Sequence, residues 1–246
     1  MSAEREVVRD ATMAIVGGLV VAAVVATFAG RFQAASTSTM AIGVVLGGVP
    51  AALAGASVVC RRPQVATPAD RVTLVRAVLT SGCAAAAAMA PISDLDVSSW
   101  WFVSLAALAL LLDALDGAVA RSSGTTAAGA RLDMELDAGM LVVLSVAAAT
   151  QLGPWVLLVG AMRYLYLVAS YLWPLLGTSV PSSRFRRTVA GLQGAALTVA
   201  LAPFTPVDVG TAVVIASLVL LVASFAHQTL ATVRLSESVS DEAARC

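Results

Sequence analysis

Residues 113–137 read DALDGAVARSSGTTAAGARLDMELD and join two long apolar segments. The apolar segments predict two helices, and the polar residues between them predict a short turn. Spacings of three residues in the first helix and four in the second place both aspartates of each helix on one face. Helices joined by a short turn are antiparallel neighbours, so the two acidic faces can meet. We therefore predict an all-α fold that gathers four carboxylates at one end of a helix pair: Asp113, Asp116, Asp133 and Asp137.

The composition of the chain is that of a membrane protein. Of its 246 residues, 59% are hydrophobic and 12% are charged, and the mean hydropathy is +0.89. The formal net charge is zero, so nothing suggests a nucleic-acid partner. Cys60, Cys83 and Cys246 have neither the spacing of a disulfide framework nor that of a zinc site. The chemistry of the chain therefore depends on where its few charges lie.

Eight apolar segments approach the roughly 20 residues that a helix needs to cross a membrane. They are 11–30, 40–59, about 72–90, 100–120, 133–151, 153–173, 188–202 and 209–228. We predict a polytopic helix bundle with a six-helix core at 63–232, a two-span extension at 1–62 and a cytoplasmic tail at 233–246. Arg61 and Arg62 mark the boundary between extension and core.

The arginines predict the orientation of this bundle. With the N-terminus inside, 13 of the 15 basic residues, all of them arginines, lie at inner ends and loops, and Arg31 lies in an outer loop. We therefore expect a multi-pass protein of the inner (plasma) membrane with its acidic cluster on the cytoplasmic side. Arg163 lies within a predicted span, where an isolated cation needs a partner.

Residues 1–30 have a second interpretation, as a cleaved signal peptide. Such a peptide begins with a basic region, whereas this chain carries Glu4-Arg5-Glu6, and its cleavage signal is poor. We predict a retained span, and the rest of the chain would keep its orientation either way.

The third span has a start that can be identified from the sequence. Thr67 is the expected N-cap, Pro68 the first helical residue and Asp70 the acid of a capping box. The helix is therefore predicted to begin in the interface, before the membrane.

The four aspartates have the chemistry of a metal site. A charge at the centre of a membrane helix costs about 2.5 to 3.5 kcal/mol, so four carboxylates need compensation even near the interface. Oxygen ligands without His or Cys select hard ions, which predicts Mg²⁺ or Mn²⁺. Gly117, Ala120 and Gly129 leave room for a ligand beside the carboxylates.

The metal-site hypothesis leaves out Glu135, and it has one alternative. Glu135 lies about 200° around its helix from Asp133 and is expected to face elsewhere. The alternative to a metal site is a set of interfacial acids paired with Arg121 and Arg131. An intramembrane cluster of four acids favours function over that alternative.

A known signature matches this region. The pattern Asp113-x-x-Asp116-Gly117-x-x-Ala120-Arg121, then seven residues, then Gly129-x-x-x-Asp133-x-x-x-Asp137 resembles that of the CDP-alcohol phosphotransferase family at every position. The resemblance extends over about residues 67–230 and implies a shared six-helix core. It implies that Asp113, Asp116 and Asp133 hold metal, and that Asp137 completes the site and acts as general base. It also places three residues near the CDP moiety: Gly117, Ala120 and Arg121.

A second motif extends the resemblance upstream. Asp70-x-x-Thr73-x-x-Arg76 is similar to the family's Asn-x-x-Thr-x-x-Arg, which contributes to the CDP side of the site. Asp70 stands where the family has Asn, and it is either an added ligand or a helix cap.

Arginines indicate the acceptor. Family members that use phosphorylated acceptors carry basic residues where this chain has Arg184, Arg186 and Arg187, and Arg suits phosphate through bidentate bonding. A positive-inside anchor explains the same three arginines equally well. Arg163 is the fourth predicted acceptor contact, because an acidic pocket with anionic substrates would supply its partner.

The resemblance thus implies a phospholipid-biosynthesis enzyme in the membrane. We expect transfer of a phosphatidyl group from CDP-diacylglycerol to glycerol 3-phosphate or inositol 1-phosphate, with release of CMP, by a homodimer. The alternatives are a phosphatidylserine-synthase-like enzyme or a CDP-head-group transferase, and, in another class, a divalent-cation transporter. A transporter would place acids at the bilayer middle and at both faces, whereas these four lie at the inner side.

Overall fold

The computed structural model describes residues 2–32, 35–61, 67–93, 95–123, 126–172 and 184–243. Within these ranges it leaves out the side chains of 2–3, 116–123, 170, 184–188, 190, 225 and 227–243. The described residues form eight α-helices and a short 3₁₀ turn at Pro154–Val156. The helices are α1 Ser2–Phe32, α2 Thr37–Val59, α3 Pro68–Met89, α4 Trp100–Ser123, α5 Ala127–Leu152, α6 Leu157–Leu172, α7 Arg184–Ala200 and α8 Val207–Ala243.

The predicted polytopic helical bundle is confirmed, with one helix for each predicted span. Within the described part of the chain, α1, α2, α3 and the first half of α8 are long and apolar enough to cross a membrane. The apolar parts of α4, α6 and α7 are shorter, at 100–115, 154–169 and 191–200. Helix α8 continues to Ala243, through most of the segment predicted as a tail.

The start of α3 is as predicted. The Thr67 side chain accepts a hydrogen bond from the Asp70 amide at 3.1 Å, and the Asp70 carboxylate accepts one from the Thr67 amide at 2.9 Å. Pro68 occupies the first turn, where its missing N–H costs nothing. This capping box fixes where α3 begins, and with it the depth of every polar residue that follows.

Helices α1 and α2 pack directly against α3. A Cβ added at Gly47 of α2 would lie 2.7 Å from the Ala85 Cβ of α3 and 2.8 Å from the Ala22 Cβ of α1. Such contacts need small residues, which is how helices associate closely in lipid. An ion pair also joins α1 to α3, because Arg71 Nε lies 2.9 Å from a carboxylate oxygen of the buried Asp10. Packing therefore joins α1 and α2 to α3, and charge adds to the contact between α1 and α3.

The other core helices close around α5. Its C-terminal half contributes Leu144 and Ala148 to a buried cluster that also holds Phe102 of α4 and Leu197 of α7. The Gln193 amide on α7 donates a hydrogen bond of 2.6 Å to the Ser217 carbonyl of α8. Apolar packing thus sets the position of the C-terminal half of α5, and the N-terminal half carries the polar residues.

Candidate active site

Three of the four predicted carboxylates converge. Asp113 lies near the end of α4, and Asp133 and Asp137 lie one turn apart on α5. One oxygen from each lies within 4.8 Å of the other two. The carboxylates of α4 and α5 thus meet, as the sequence predicts, while both helices pack against α3. The side chain of Asp116, the fourth carboxylate, lies outside the described residues.

Arg76 of α3 reaches into this cluster. Its Nη1 lies 2.9 Å from Asp113 Oδ1 and 2.5 Å from Asp133 Oδ1, and its Nη2 donates to Asp137 Oδ1. Arg76 is only 3% exposed, whereas the three carboxylates are 33 to 40% exposed. The guanidinium therefore closes the cluster on its buried side and leaves the carboxylates open on the other. Among the described side chains, Arg76 is the arginine at the cluster, and Arg131 is exposed.

The charges of this site suit a divalent cation. Three ionised carboxylates and one guanidinium carry a formal charge of −2, and the donor atoms are all hard carboxylate oxygens. Mg²⁺ and Mn²⁺ favour that donor set. The remaining exposure of the carboxylates provides access for the ion and for a ligand bound to it. The described residues therefore fit the predicted metal.

Asp70 has both carboxylate oxygens engaged. Oδ2 accepts hydrogen bonds from the Thr67 amide and hydroxyl at 2.9 and 2.8 Å, and Oδ1 lies 2.5 Å from Arg61 Nη1. Asp70 is 2% exposed. Of the two roles predicted for it, these contacts favour the helix cap. Thr73, one turn later, is buried, and its hydroxyl donates to the Ala69 carbonyl at 3.0 Å.

Arg61 is a contributor that the sequence analysis used only as a boundary marker. It follows the end of α2 and bonds to Asp70 of α3, beside Gly129 in the first turn of α5. The signal that could have identified it is the capping box. In a capping box, Thr67 engages one oxygen of Asp70. If Asp70 is buried, its second oxygen also needs a partner, and a cation is the natural one. The nearest arginines before Asp70 are at positions 61 and 62.

Glu135 faces away from the cluster, as predicted, and pairs with Arg163. Arg163 Nη2 donates to Glu135 Oε1 at 2.5 Å and thereby links α6 to α5. The partner that the sequence analysis required for Arg163 is therefore an acid of the protein. An apolar cavity of about 630 Å³ lies beside Glu135, and helices α2, α3, α5 and α6 line it.

The remaining predicted contacts are Gly117, Ala120 and Arg121 on α4 and Arg184, Arg186 and Arg187 at the start of α7, and their surroundings lie outside the described part of the chain. Of the predicted donor and acceptor contacts, only Asp70, Thr73, Arg76 and Arg163 have described side chains.

The sequence profile of the CDP-alcohol phosphatidyltransferase family matches residues 66–225. The chain belongs to this family. Neither a curated protein nor a solved structure matches it significantly. Members of the CDP-alcohol phosphatidyltransferase family act in the membrane on CDP-alcohol donors and alcohol acceptors, and they generally use a divalent metal. The protein is therefore a transferase of phospholipid biosynthesis, which decides against the cation transporter.

Proposed function

We propose that the protein transfers the phosphatidyl group of CDP-diacylglycerol to the hydroxyl of an alcohol phosphate, glycerol 3-phosphate or inositol 1-phosphate, and releases CMP. The observation that carries this proposal is the convergence of Asp113, Asp133 and Asp137 on Arg76 in a chain of this family. An open acidic site of charge −2 suits a substrate that arrives with its own phosphates and a metal.

The chemistry is a substitution at phosphorus. The acceptor oxygen forms a bond to the β-phosphorus of the donor, and the bond from that phosphorus to the bridging oxygen breaks, so that CMP leaves with the bridging oxygen. We assign Asp137 as the general base that takes the proton of the acceptor hydroxyl. Arg76 supports this assignment because its hydrogen bond to one oxygen of Asp137 holds the carboxylate in a fixed orientation.

The metal ligands in this proposal are Asp113, Asp116, Asp133 and Asp137. When bound, Mg²⁺ or Mn²⁺ supplies a Lewis acid that neutralises charge on phosphoryl oxygens. Arg76 keeps Asp113 and Asp133 together before any ion arrives, since it contacts one oxygen of each. On the CDP side of the site we propose Arg76, Gly117, Ala120 and Arg121 as donor contacts, with Asp70 and Thr73 fixing the first turns of α3 that present Arg76.

The phosphorylated acceptor is proposed from the arginines near α6 and α7. Arg163 bonds to Glu135 through Nη2, and its buried Nε has no hydrogen-bond partner among the described residues. A guanidinium with a spare donor can bind phosphate as well as its carboxylate. Arg184, Arg186 and Arg187 complete the proposed acceptor site.

The direct test follows the reaction. Purified protein is incubated with CDP-diacylglycerol, Mg²⁺ and a panel of alcohols and alcohol phosphates, and CMP release and the lipid product are measured. We expect turnover with an alcohol phosphate and none in excess chelator. Turnover only with serine or another unphosphorylated alcohol would contradict the proposed acceptor.

Two variants separate chemistry from binding. Asp137→Asn should lower kcat by the ~10² to 10⁴ typical of losing a general base, with donor affinity largely kept. Asp113→Asn should weaken metal and donor binding instead. If Asp137→Asn loses donor binding as severely as Asp113→Asn, this division of roles between the two aspartates is wrong. Arg163→Ala and Arg187→Ala should raise KM for the acceptor and leave that for the donor unchanged.

The location of the site is part of the proposal. We place it on the cytoplasmic side of the plasma membrane because the arginines concentrate on one side of the predicted spans. Single cysteines in 122–128 and 178–183, in a chain without native cysteines, should resist impermeant thiol reagents added to intact cells. Ready labelling from outside would reverse the orientation. We also propose a homodimer, which native mass spectrometry of the solubilised protein would test.

A further inference from the structure

Arg61 has buried hydrogen-bond donors that no other described residue uses. Its side chain is 10% exposed, and Nη1 bonds to Asp70 Oδ1 at 2.5 Å. Nε and Nη2 are buried and have no hydrogen-bond partner in the part of the chain that the structure describes. Buried charged donors normally have a hydrogen-bond acceptor, because burying a donor without one costs free energy. The unused side of this guanidinium is therefore suited to an acceptor that comes from outside the chain.

The first turn of α5 lies beside the Arg61–Asp70 pair. A Cβ added at Gly129 would lie 3.4 Å from Asp70 Oδ1 and 3.9 Å from Arg61 Nη1, so the missing side chain leaves the first turn of α5 close to both. Backbone amides in the first turn of a helix favour anions. Two independent features, a nine-tenths buried guanidinium and a helix start without side-chain bulk, thus meet at one place.

On both α3 and α5, the surroundings of Arg61 lie closer to the start of the helix than the acidic cluster does. Asp70 and Arg76 are six residues apart on α3, which is about 9 Å along the helix axis. Gly129 and Asp133 are four residues apart on α5, in the same direction. The two helices therefore carry two adjacent levels of the same site. The Arg61 level lies nearer to the helix starts, and the carboxylate level lies deeper.

We infer that Arg61 binds a phosphate group of a substrate of the reaction, which makes it a binding residue supplied by the connection between the extension and the core. The inference rests on the proposed function, since that function supplies the phosphates. A planar guanidinium that already holds a carboxylate with one nitrogen can present two others to phosphate oxygens. Arg61 lies before residues 66–225, so the family match does not include it.

Arg61→Lys separates binding from a purely structural role. Lysine keeps the charge and can keep the ion pair with Asp70, but it loses the fork that presents the two unused N–H groups. The matched control is Arg71→Lys. Arg71 also pairs with a buried aspartate, Asp10, but its side chain is 52% exposed. Both proteins should melt close to the wild-type temperature.

Binding is measured with two soluble probes in Mg²⁺, by calorimetry: CDP for the donor phosphates and glycerol 3-phosphate for the acceptor phosphate. Arg61→Lys should weaken one of the two by about ten- to a hundred-fold, the value of charge-assisted hydrogen bonds, and Arg71→Lys should weaken neither. Loss for CDP alone assigns the donor phosphate, and loss for glycerol 3-phosphate alone assigns the acceptor phosphate.

Unchanged affinity for both probes in folded Arg61→Lys would overturn the inference. An equal loss in Arg71→Lys would also overturn it, since the effect would then come from the extension as a whole. If Arg61→Lys does not fold, the same titrations use Arg61→Gln, which keeps a donor for Asp70. Because CDP binding is read without turnover, the result stands even if the assay for phosphatidyl transfer fails, so the two failures are distinguishable.

Discussion

The two polar faces of α5 meet their arginines in different ways. On one face, Asp133 and Asp137 share Arg76 with Asp113, and three carboxylates surround one buried guanidinium. On the other face, Glu135 pairs with Arg163, and the formal charges of the pair balance. Among the described side chains, the first face alone keeps an excess of negative charge. The difference shows that an arginine close to an acid is not sufficient to neutralise a site, and that the excess charge marks where a cation can bind.

The largest effect is expected on metal affinity when a carboxylate of the first face is removed, and a variant of the second face serves as the control. Asp133→Asn should weaken Mn²⁺ binding by more than about 100-fold, the upper end for residues that only support a metal ligand. Glu135→Gln, two residues away on the same helix, should leave Mn²⁺ affinity unchanged because its carboxylate lies on the other face. Titration of Mn²⁺ into each purified variant measures both. Equal losses would mean that the two faces do not act separately.

The next effect concerns stability. Arg76→Gln leaves three carboxylates without their fixed cation, which should cost about 3 to 5 kcal/mol. Arg163→Gln removes one hydrogen bond between membrane helices, worth about 1 kcal/mol. Added Mn²⁺ should raise the melting temperature of Arg76→Gln more than that of the wild type, because the ion replaces the lost charge.

Thermal melting in detergent, with and without Mn²⁺, measures these differences. At 2 to 4 °C per kcal/mol, about 6 °C or more should be lost for Arg76→Gln and about 3 °C for Arg163→Gln. A larger loss for Arg163→Gln than for Arg76→Gln would reverse the comparison.

The smallest expected effect is the coupling energy between the two residues of the second face. Since Glu135 and Arg163 form a single pair, the double variant Glu135→Arg with Arg163→Glu should recover stability that each single variant loses. The coupling energy should be about 1 kcal/mol. A melting-temperature cycle over the four proteins gives this value. A coupling energy near zero would show that the contact does not stabilise the fold.

Local patterns predicted much of this structure. The capping box at Thr67 and Asp70 depends on residues three positions apart. The meeting of aspartates from α4 and α5 depends on helical periodicity, which places them on one face of each helix. Both are properties of short stretches, and the structure confirms the start of α3 and the convergence of three carboxylates. The number of helices also followed from hydropathy alone.

Partners between distant helices did not follow from the sequence. The motif that contains Arg76 indicated a role on the donor side, but its contact with Asp113 and Asp137 depends on how α3 is rotated against α4 and α5. The pairing of Arg163 with Glu135 depends in the same way on the packing of α6. Helix rotation is set by close packing over the whole bundle, which no short pattern encodes.

The ion pair between Asp10 and Arg71 has a consequence for how the protein is made. Helices α1 and α2 leave the ribosome before α3, and domains and segments fold in that order. The mean hydropathy is 1.6 for α3, against 2.3 for α1 and 2.0 for α2. Helix α3 also carries three charged residues, Asp70, Arg71 and Arg76, in a stretch of seven residues. We therefore expect this least apolar of the three helices to insert more readily when α1 and α2 precede it, because Asp10 can pair with Arg71 and Gly47 leaves room for Ala85.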